Sequence, residues 1–132
     1  MHKGFLRTAA VLAALSVLLG AFAAHGLKGK INEQAIVIFE TAVRYQFYHV
    51  FALFITAILY KDFHFSTTLY AGGFFIAGII LFSGSLYILA GLQAAVQPGY
   101  RWLGAITPLG GLAFIGGWLL LLISFFKKIS RI

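Results

Sequence analysis

Four long runs of apolar residues divide the chain, and each has about the length of a helix that crosses a bilayer. They are Thr8–Ala24, about Thr41–Tyr60, Thr68–Leu92 and Pro108–Phe126. A bilayer core about 30 Å thick needs about 20 helical residues, since an α-helix rises about 1.5 Å per residue. With their flanks, the runs predict helices over about residues 6–25, 36–60, 68–92 and 108–126. The predicted fold is all-α: one transmembrane domain over residues 1–132, an integral membrane bundle of four transmembrane helices.

The first run has a second interpretation. His2, Lys3 and Arg7 form a basic segment before it, and Ala21-Phe22-Ala23 offers the small residues of a cleavage site. Those are the features of a signal peptide, which is removed from a mature protein. A signal peptide is therefore the alternative to a first transmembrane helix.

The start of the fourth helix is also open to two interpretations. Thr107 is a suitable N-cap, and Pro108 behind it suits the first helical position, where its missing N–H costs nothing. This pattern predicts a helix that begins at Pro108. The alternative is a longer helix from about Trp102 that kinks at Pro108.

The composition favours a membrane protein over a soluble domain. Of the 132 residues, 61% are hydrophobic and 10% are charged, with a mean hydropathy of +0.97. Soluble domains average about 45–50% apolar and about 25% charged residues. A small globule has too much surface to hide such an excess. The chain has no cysteine, so disulfides and cysteine-ligated metals are excluded.

The net charge of +7 comes from basic residues scattered at the edges of the apolar runs. That placement fits anionic headgroups and topology signals, and there is no basic stripe of the kind that nucleic acid requires. Four helices put both termini on one side, and that side has six Lys and Arg residues against four on the other. The bias predicts a multi-pass protein of the cell (inner) membrane with both termini in the cytoplasm. The six are Lys3, Arg7, Lys61, Lys127, Lys128 and Arg131, and the four are Lys28, Lys30, Arg44 and Arg101.

Small residues recur at helical spacing in three of the predicted helices, and the last two helices are rich in glycine. In lipid, helices associate by close backbone approach, which small residues permit. The stripes predict either tight packing within one bundle or a homo-oligomer in which a stripe faces a second copy. They are Ser16, Gly20 and Ala24, then Gly73 and Ala77, then Ala113 and Gly117.

Polar residues collect at the start of the second run, in the stretch FETAVRYQFYH. At about 100° per residue, most of them fall within one half of the helix surface. That segregation predicts that the polar arc faces protein or water rather than lipid. Gln46 is the strongly polar residue that lies outside it. The arc consists of Glu40, Thr41, Arg44, Tyr45, Tyr48 and His49, and the opposite side carries Phe39, Val43, Phe47, Val50 and Phe54.

Depth in the membrane distinguishes the members of this arc. Glu40 lies at the boundary, and Arg44 only about 4–5 Å inside it, within snorkelling reach. Their i, i+4 spacing allows an ion pair. His49 would lie about 12 Å deep, near the midplane, where it needs a partner. The candidates for that partner are Tyr45 and, on the third helix, Ser83, Ser85 and Tyr87.

Alternating helix direction brings the polar ends of all four helices to one height. We therefore expect a polar cluster in one leaflet, which the charge bias makes the outer leaflet. The candidate members are His25, Glu40, Arg44, Tyr45, Gln46, Tyr48, His49, Ser83, Ser85, Tyr87, Thr107 and Pro108.

Four ordered motifs carry a resemblance to a known family over nearly the whole chain. The motifs are GAFAAHGL, FETAVRYQFYH, LFSGSLY and ITPLGGLAFIGGW. They resemble a small four-helix membrane family of unknown function that includes YgdD-like and transmembrane-protein-256-like proteins. Ala23 stands where glycine is common in that family. The resemblance implies a four-span membrane fold and implies no activity.

The residues support three hypotheses about function. The first is a non-catalytic structural or interaction protein whose polar cluster holds the bundle together, with membrane lipid as its surroundings. The alternative is a small-solute or proton pathway, formed as an oligomer, with His49 titrating and Glu40 and Arg44 at its mouth. The third is an intramembrane enzyme or metal site. His25, Glu40 and His49 lack a ligand-spacing motif, so we expect no catalytic residues, no metal and no cofactor.

Overall fold

The computed structural model of the protein describes residues 1–96 and 101–129, and this part of the chain is helical apart from short connections. Arg131 of the charge count lies outside the described residues. The first helix, α1, is followed by a π-helical turn over Phe22–Leu27, and a π-helical segment over Ile79–Ser83 joins α3 to α4. The α-helices are α1 (Lys3–Ala21), α2 (Glu33–Leu59), α3 (Ser66–Gly78), α4 (Gly84–Ala94) and α5 (Arg101–Ile129).

Four of the continuous helical stretches are long and apolar enough to cross a membrane, which confirms the predicted all-α fold class. They are Lys3–Leu27, Glu33–Leu59, Ser66–Ala94 and Trp102–Lys128, and we call them the first to fourth spans. Side chains cap the amino-terminal ends of the first two spans. The Nδ1 atom of His2 accepts a hydrogen bond from the N–H of Phe5 at 3.1 Å, and Asn32 Oδ1 accepts from the N–H of Ala35 at 2.8 Å. These caps start both helices a few residues earlier than the apolar runs do.

Of the two starts that the sequence suggested for the fourth span, Pro108 is wrong and the longer helix from about Trp102 agrees with the structure. The helix begins at Arg101 and Pro108 lies inside it. A proline within a helix leaves a carbonyl one turn earlier without its usual donor, and membrane helices tolerate this where neighbouring side chains compensate. The Thr107 hydroxyl is therefore not an N-cap. It donates to the carbonyl of Leu103 at 3.4 Å and meets the Ser85 hydroxyl at 2.7 Å.

The spans pack largely in chain order. The first span lies mainly on α2, α2 also contacts α3 and α4, and α5 lies on α3 and the π-helical segment. Phe75 is fully buried at the centre of the core, which also contains Val50, Leu53 and Phe114. The second span is the most buried of the four and the first is the least. The second span therefore packs on both the first and the third spans, whereas the fourth packs mainly on the third.

Glycines set the closest approaches between the third and fourth spans. A Cβ atom on Gly110 would lie 2.7 Å from the Cα atom of Phe82, and one on Gly117 would lie 2.6 Å from a ring carbon of Phe75. A Cβ on Gly78 would likewise overlap the ring of Phe114. Each glycine therefore makes room for a large side chain or for the backbone of the facing helix.

The small-residue stripes divide between buried and exposed positions. Ser16 is fully buried, and a Cβ on Gly20 would make ordinary contact with Val43 at 3.6 Å. Ala77 and Ala113 are half-buried. Ala24 and Gly73 are exposed, and a Cβ on Gly73 would meet nothing within 4 Å. These last two positions do not pack within the bundle.

We predict that Gly110→Ala destabilises the protein and that Gly73→Ala does not. The new methyl at 110 would press on the backbone of Phe82, which cannot move without shifting a whole turn. Overpacking of this kind costs about 1–3 kcal/mol. At Gly73 the methyl has open space, and the helix gains up to about 1 kcal/mol from the loss of glycine. Unfolding by a denaturing detergent, followed by circular dichroism, measures both. Equal stability of the two variants would contradict this account of the packing.

Candidate functional site

The sequence predicted that the polar arc of the second span faces protein or water, and four of its members are exposed rather than buried in the protein. Glu40 and Arg44 are exposed, Tyr45 is 38% exposed and Tyr48 is 56% exposed. His49 is the arc member that is fully turned inward. In lipid, an apolar side chain gains no free energy from being buried rather than touching acyl chains. The inward face is therefore the one whose small residues allow close helix packing. The buried side of α2 accordingly carries Ala35, Ala42, Val43, Val50, Ala52, Leu53 and Ala57.

The predicted ion pair between Glu40 and Arg44 does not form. Neither side chain has an ion pair or hydrogen bond to another described residue. Thr41 bonds within its own helix, where its hydroxyl donates to the carbonyl of Val37 at 2.8 Å. The outward arc is therefore a row of charged and phenolic groups that this chain leaves to its surroundings.

Gln46, which lies outside the predicted arc, is the most strongly connected polar residue of the stretch. Its side chain is only 2% exposed. Gln46 Nε2 donates to the carbonyl of Leu12 at 3.3 Å, and Gln46 Oε1 accepts from the Tyr87 hydroxyl at 2.9 Å. The same Leu12 carbonyl accepts from the Ser16 hydroxyl at 2.8 Å. One amide side chain thus links the first, second and third spans.

The two serines of the LFSGSLY motif bond to different helices. The Ser83 hydroxyl donates to the carbonyl of Ala42 on the second span at 2.8 Å. The Ser85 hydroxyl meets that of Thr107 on the fourth span at 2.7 Å. Ser83 ends the π-helical segment. Ser83 and Ser85 are two positions apart, so they point to nearly opposite sides of the span and reach different helices.

His49 is buried between three aromatic side chains and has both ring nitrogens engaged. Its ring stacks on Phe114, with centroids 3.4 Å apart and planes 9° apart. Trp118 Nε1 donates to His49 Nε2 at 3.3 Å, and His49 Nδ1 lies 2.8 Å from the carbonyl of Tyr45. An indole nitrogen is only a donor and a carbonyl only an acceptor. This pairing assigns the neutral tautomer with the proton on Nδ1.

The partners proposed for His49 from the sequence are therefore wrong in all but one case. Ser83, Ser85 and Tyr87 bond elsewhere, and Tyr45 contributes its backbone carbonyl rather than its phenol. Trp118 was missed because a tryptophan in an apolar run is usually a lipid-facing or interfacial residue.

The structure brings some of the candidate cluster together and leaves the rest apart. Gln46 lies at the middle of the second span, and the other four residues lie in the half of the bundle where that span begins. Hydrogen bonds connect all five to neighbouring helices: Gln46, Ser83, Ser85, Tyr87 and Thr107. His25 and Pro108 are exposed and take no part in these hydrogen bonds. The interior network is therefore smaller and less charged than the sequence predicted.

Sequence reasoning missed a second polar contact. It joins the start of the third span to the end of the fourth, at the other end of the bundle. The Ser124 hydroxyl lies 2.7 Å from that of Thr67 and 3.0 Å from that of Thr68. The Thr56 hydroxyl bonds to the carbonyl of Ala52 within its own helix. A lone serine in a long apolar run is the signal that could have found this contact, since polar side chains there bond across helices.

The chemistry of the interior is that of neutral hydrogen bonding. Every buried side-chain nitrogen and oxygen in the described part of the chain has a hydrogen-bond partner. Within residues 1–96 and 101–129, no three His, Cys, Asp or Glu side chains come close enough to hold a metal ion. The residues that meet in the interior therefore join helices to each other.

The four spans and the hydrogen-bonded interior define a polytopic α-helical membrane protein. Residues 19–111 match the model of a family described as protein of unknown function DUF423, and the chain belongs to that family. It is 44% identical to a UPF0382 membrane protein of Staphylococcus haemolyticus, across 97% of this chain and 99% of the relative. It is also 44% identical to the UPF0382 membrane protein YwdK of Bacillus subtilis, across 95% of this chain and 98% of that relative. No solved structure matches the chain.

We predict that Tyr87→Phe destabilises the protein while Tyr48→Phe has almost no effect. The first change removes the donor to Gln46 Oε1 and leaves a buried acceptor, whereas Tyr48 is exposed. Hydrogen bonds between membrane helices contribute about 0.6–2 kcal/mol. The measurement is the free energy of unfolding in a denaturing detergent. A double-mutant cycle with Gln46→Leu isolates the pair, and a coupling energy near zero would contradict the assigned contact.

Proposed function

We propose that this protein is a non-catalytic structural or interaction protein of the membrane, and that its buried polar network serves to hold four helices in one arrangement. The observation that carries the proposal is the complete pairing of the buried side-chain polar atoms in the described residues. A catalytic or transport role would require one of these groups to exchange its protein partner for a substrate. The groups that the sequence suggested for that role are bonded to other helices or exposed.

A small-solute or proton pathway, formed by an oligomer, is the second candidate and receives less support. His49 was its titrating group, and protonation of Nε2 would break the bond from Trp118. The ring is also stacked on Phe114. A proton relay needs a histidine nitrogen that can exchange its partner. The inward placement of His49 in an otherwise apolar region is the observation that keeps this candidate testable.

We predict that the purified protein in liposomes gives no pH-dependent flux above that of empty liposomes. His49→Ala should lower the apparent melting temperature in detergent, because it removes the stacked ring and leaves Trp118 without its acceptor. His64→Ala is the matched control, since His64 is exposed in a connection. A flux that His49→Ala abolishes and His64→Ala preserves would replace the scaffold role with the pathway.

We further propose that the protein lies in the cell membrane with both termini in the cytoplasm. The excess of Lys and Arg on the side of the termini supports this orientation. Membrane lipid is its surrounding partner, and the exposed positions Ala24 and Gly73 leave room for close approach of a second copy. The four motifs also support a wider kinship with the YgdD-like and transmembrane-protein-256-like proteins.

The orientation gives a direct prediction, because the chain has no cysteine of its own. A single cysteine introduced at exposed Lys61 should be protected from a membrane-impermeant maleimide in intact cells and labelled after permeabilisation. A cysteine at exposed Lys28 should be labelled in intact cells. The reverse labelling pattern would contradict a cytoplasmic location of the termini.

A further inference from the structure

An unpartnered charged face on the second span is the strongest feature that the scaffold role does not use. Glu33, Val37, Glu40 and Arg44 are exposed and succeed one another at spacings of three or four residues, so they line one face of α2. Glu33, Glu40 and Arg44 have no ion pair or hydrogen bond to another side chain in the described part of the molecule. We call these four residues the charged face. Charged side chains at the edge of a bilayer can reach water or lipid headgroups.

Three residues of the charged face, Glu33, Val37 and Glu40, line a groove of about 570 Å³ between the end of the first span and the start of the second. The groove has an apolar floor and a charged rim. Lys28, Glu33 and Glu40 all line it, and the Lys28 side chain also has no partner among the described residues. The floor is formed by Ala23, Ala24, Ile31, Ile36 and Val37.

Below the groove the same face continues into the membrane as an apolar strip. Arg44 lies one turn, or about 6 Å, deeper than Glu40. The following turns expose Tyr48, Phe51, Ile55 and Ile58 on the same side of the helix. From the surface inward, the order is thus two carboxylates, a guanidinium, a phenol and then apolar side chains.

That order is the complement of a zwitterionic phospholipid. Such a lipid has its ammonium outermost, its phosphate next and its acyl chains deepest. We propose that the groove and the charged face bind one phospholipid whose headgroup ends in a primary ammonium. Glu33 and Glu40 accept hydrogen bonds from the ammonium, Arg44 pairs with the phosphate, and an acyl chain lies along Tyr48, Phe51 and Ile55. Primary ammonium is favoured because its N–H groups can donate to carboxylates, whereas a quaternary ammonium has none.

This proposal goes beyond the scaffold role and does not depend on it. The lipid site uses outward side chains of the second span, whereas the scaffold uses the inward ones. Loss of lipid binding leaves the buried hydrogen bonds in place, and loss of those bonds is detected by unfolding. The two proposals therefore fail in different experiments.

The test is native mass spectrometry of the full chain in detergent with an equimolar mixture of phosphatidylethanolamine, phosphatidylcholine and phosphatidylglycerol of matched acyl chains. We expect one phosphatidylethanolamine to be retained most strongly and phosphatidylglycerol least, because its anionic headgroup meets two carboxylates. One charge-assisted contact corresponds to roughly a tenfold change in affinity. Arg44→Gln should therefore weaken retention of phosphatidylethanolamine and phosphatidylcholine alike by about that factor.

Glu40→Gln should act differently from Arg44→Gln. It removes a partner of the ammonium and a repulsion against an anionic headgroup, so the ratio of phosphatidylethanolamine to phosphatidylglycerol should fall by about tenfold. The matched controls are Arg7→Gln and Asp62→Asn, which make the same charge changes at exposed positions near the opposite ends of the spans. Both controls should retain lipid as the unaltered protein does. Unchanged melting temperatures for all four variants confirm that each is folded.

Three results would overturn the proposal. One is equal retention of the three headgroups. Another is a loss of lipid with Arg7→Gln as large as the loss with Arg44→Gln. The third is a dimer that Arg44→Gln dissociates without any loss of lipid, which would assign the charged face to a second copy of this chain instead.

Discussion

A polar group without a partner inside a bilayer costs several kcal/mol, because no water is available to bond to it. The arrangement of the second span follows from that constraint. Gln46 has an amide that both donates and accepts, and a single neighbouring helix could satisfy only part of it. The carbonyl of Leu12 and the hydroxyl of Tyr87 bond to it from two different spans. The first and third spans must therefore both lie within hydrogen-bond reach of this one side chain of the second.

Close backbone approach provides the packing that those hydrogen bonds require. The Ser83 hydroxyl reaches a main-chain carbonyl of the second span at Ala42, a fully buried position with a small side chain. Gly110 lets the fourth span press directly on the backbone at Phe82. Both contacts fall on the π-helical segment Ile79–Ser83, so two consecutive residues of one span, Phe82 and Ser83, contact two different neighbours.

The fold class could be predicted from the sequence because the length and hydropathy of each apolar run can be read from the order of residues along the chain. The inward face of the second span could not, since polarity is a poor guide to burial in lipid. Arg44 and Tyr48 are polar yet exposed, while Val43 and Val50 are apolar yet buried. The sequence left the start of the fourth span open between Pro108 and about Trp102, because proline at a helix start and proline inside a membrane helix have the same local sequence pattern. What distinguishes them here is Ser85, a residue of another span, which bonds to Thr107.

The two halves of the Gln46 amide become satisfied at different times as the chain is made. Leu12, whose carbonyl accepts from the Gln46 NH₂ group, precedes Gln46 by 34 residues, whereas Tyr87, whose hydroxyl donates to the Gln46 carbonyl oxygen, follows it by 41 residues. A hairpin of the first two spans can therefore enter the bilayer with the NH₂ group already bonded and the carbonyl oxygen still free. When the third span inserts, the Tyr87 hydroxyl can bond to that free oxygen and hold the span beside the hairpin. The order of synthesis thus favours assembly from the amino-terminal end.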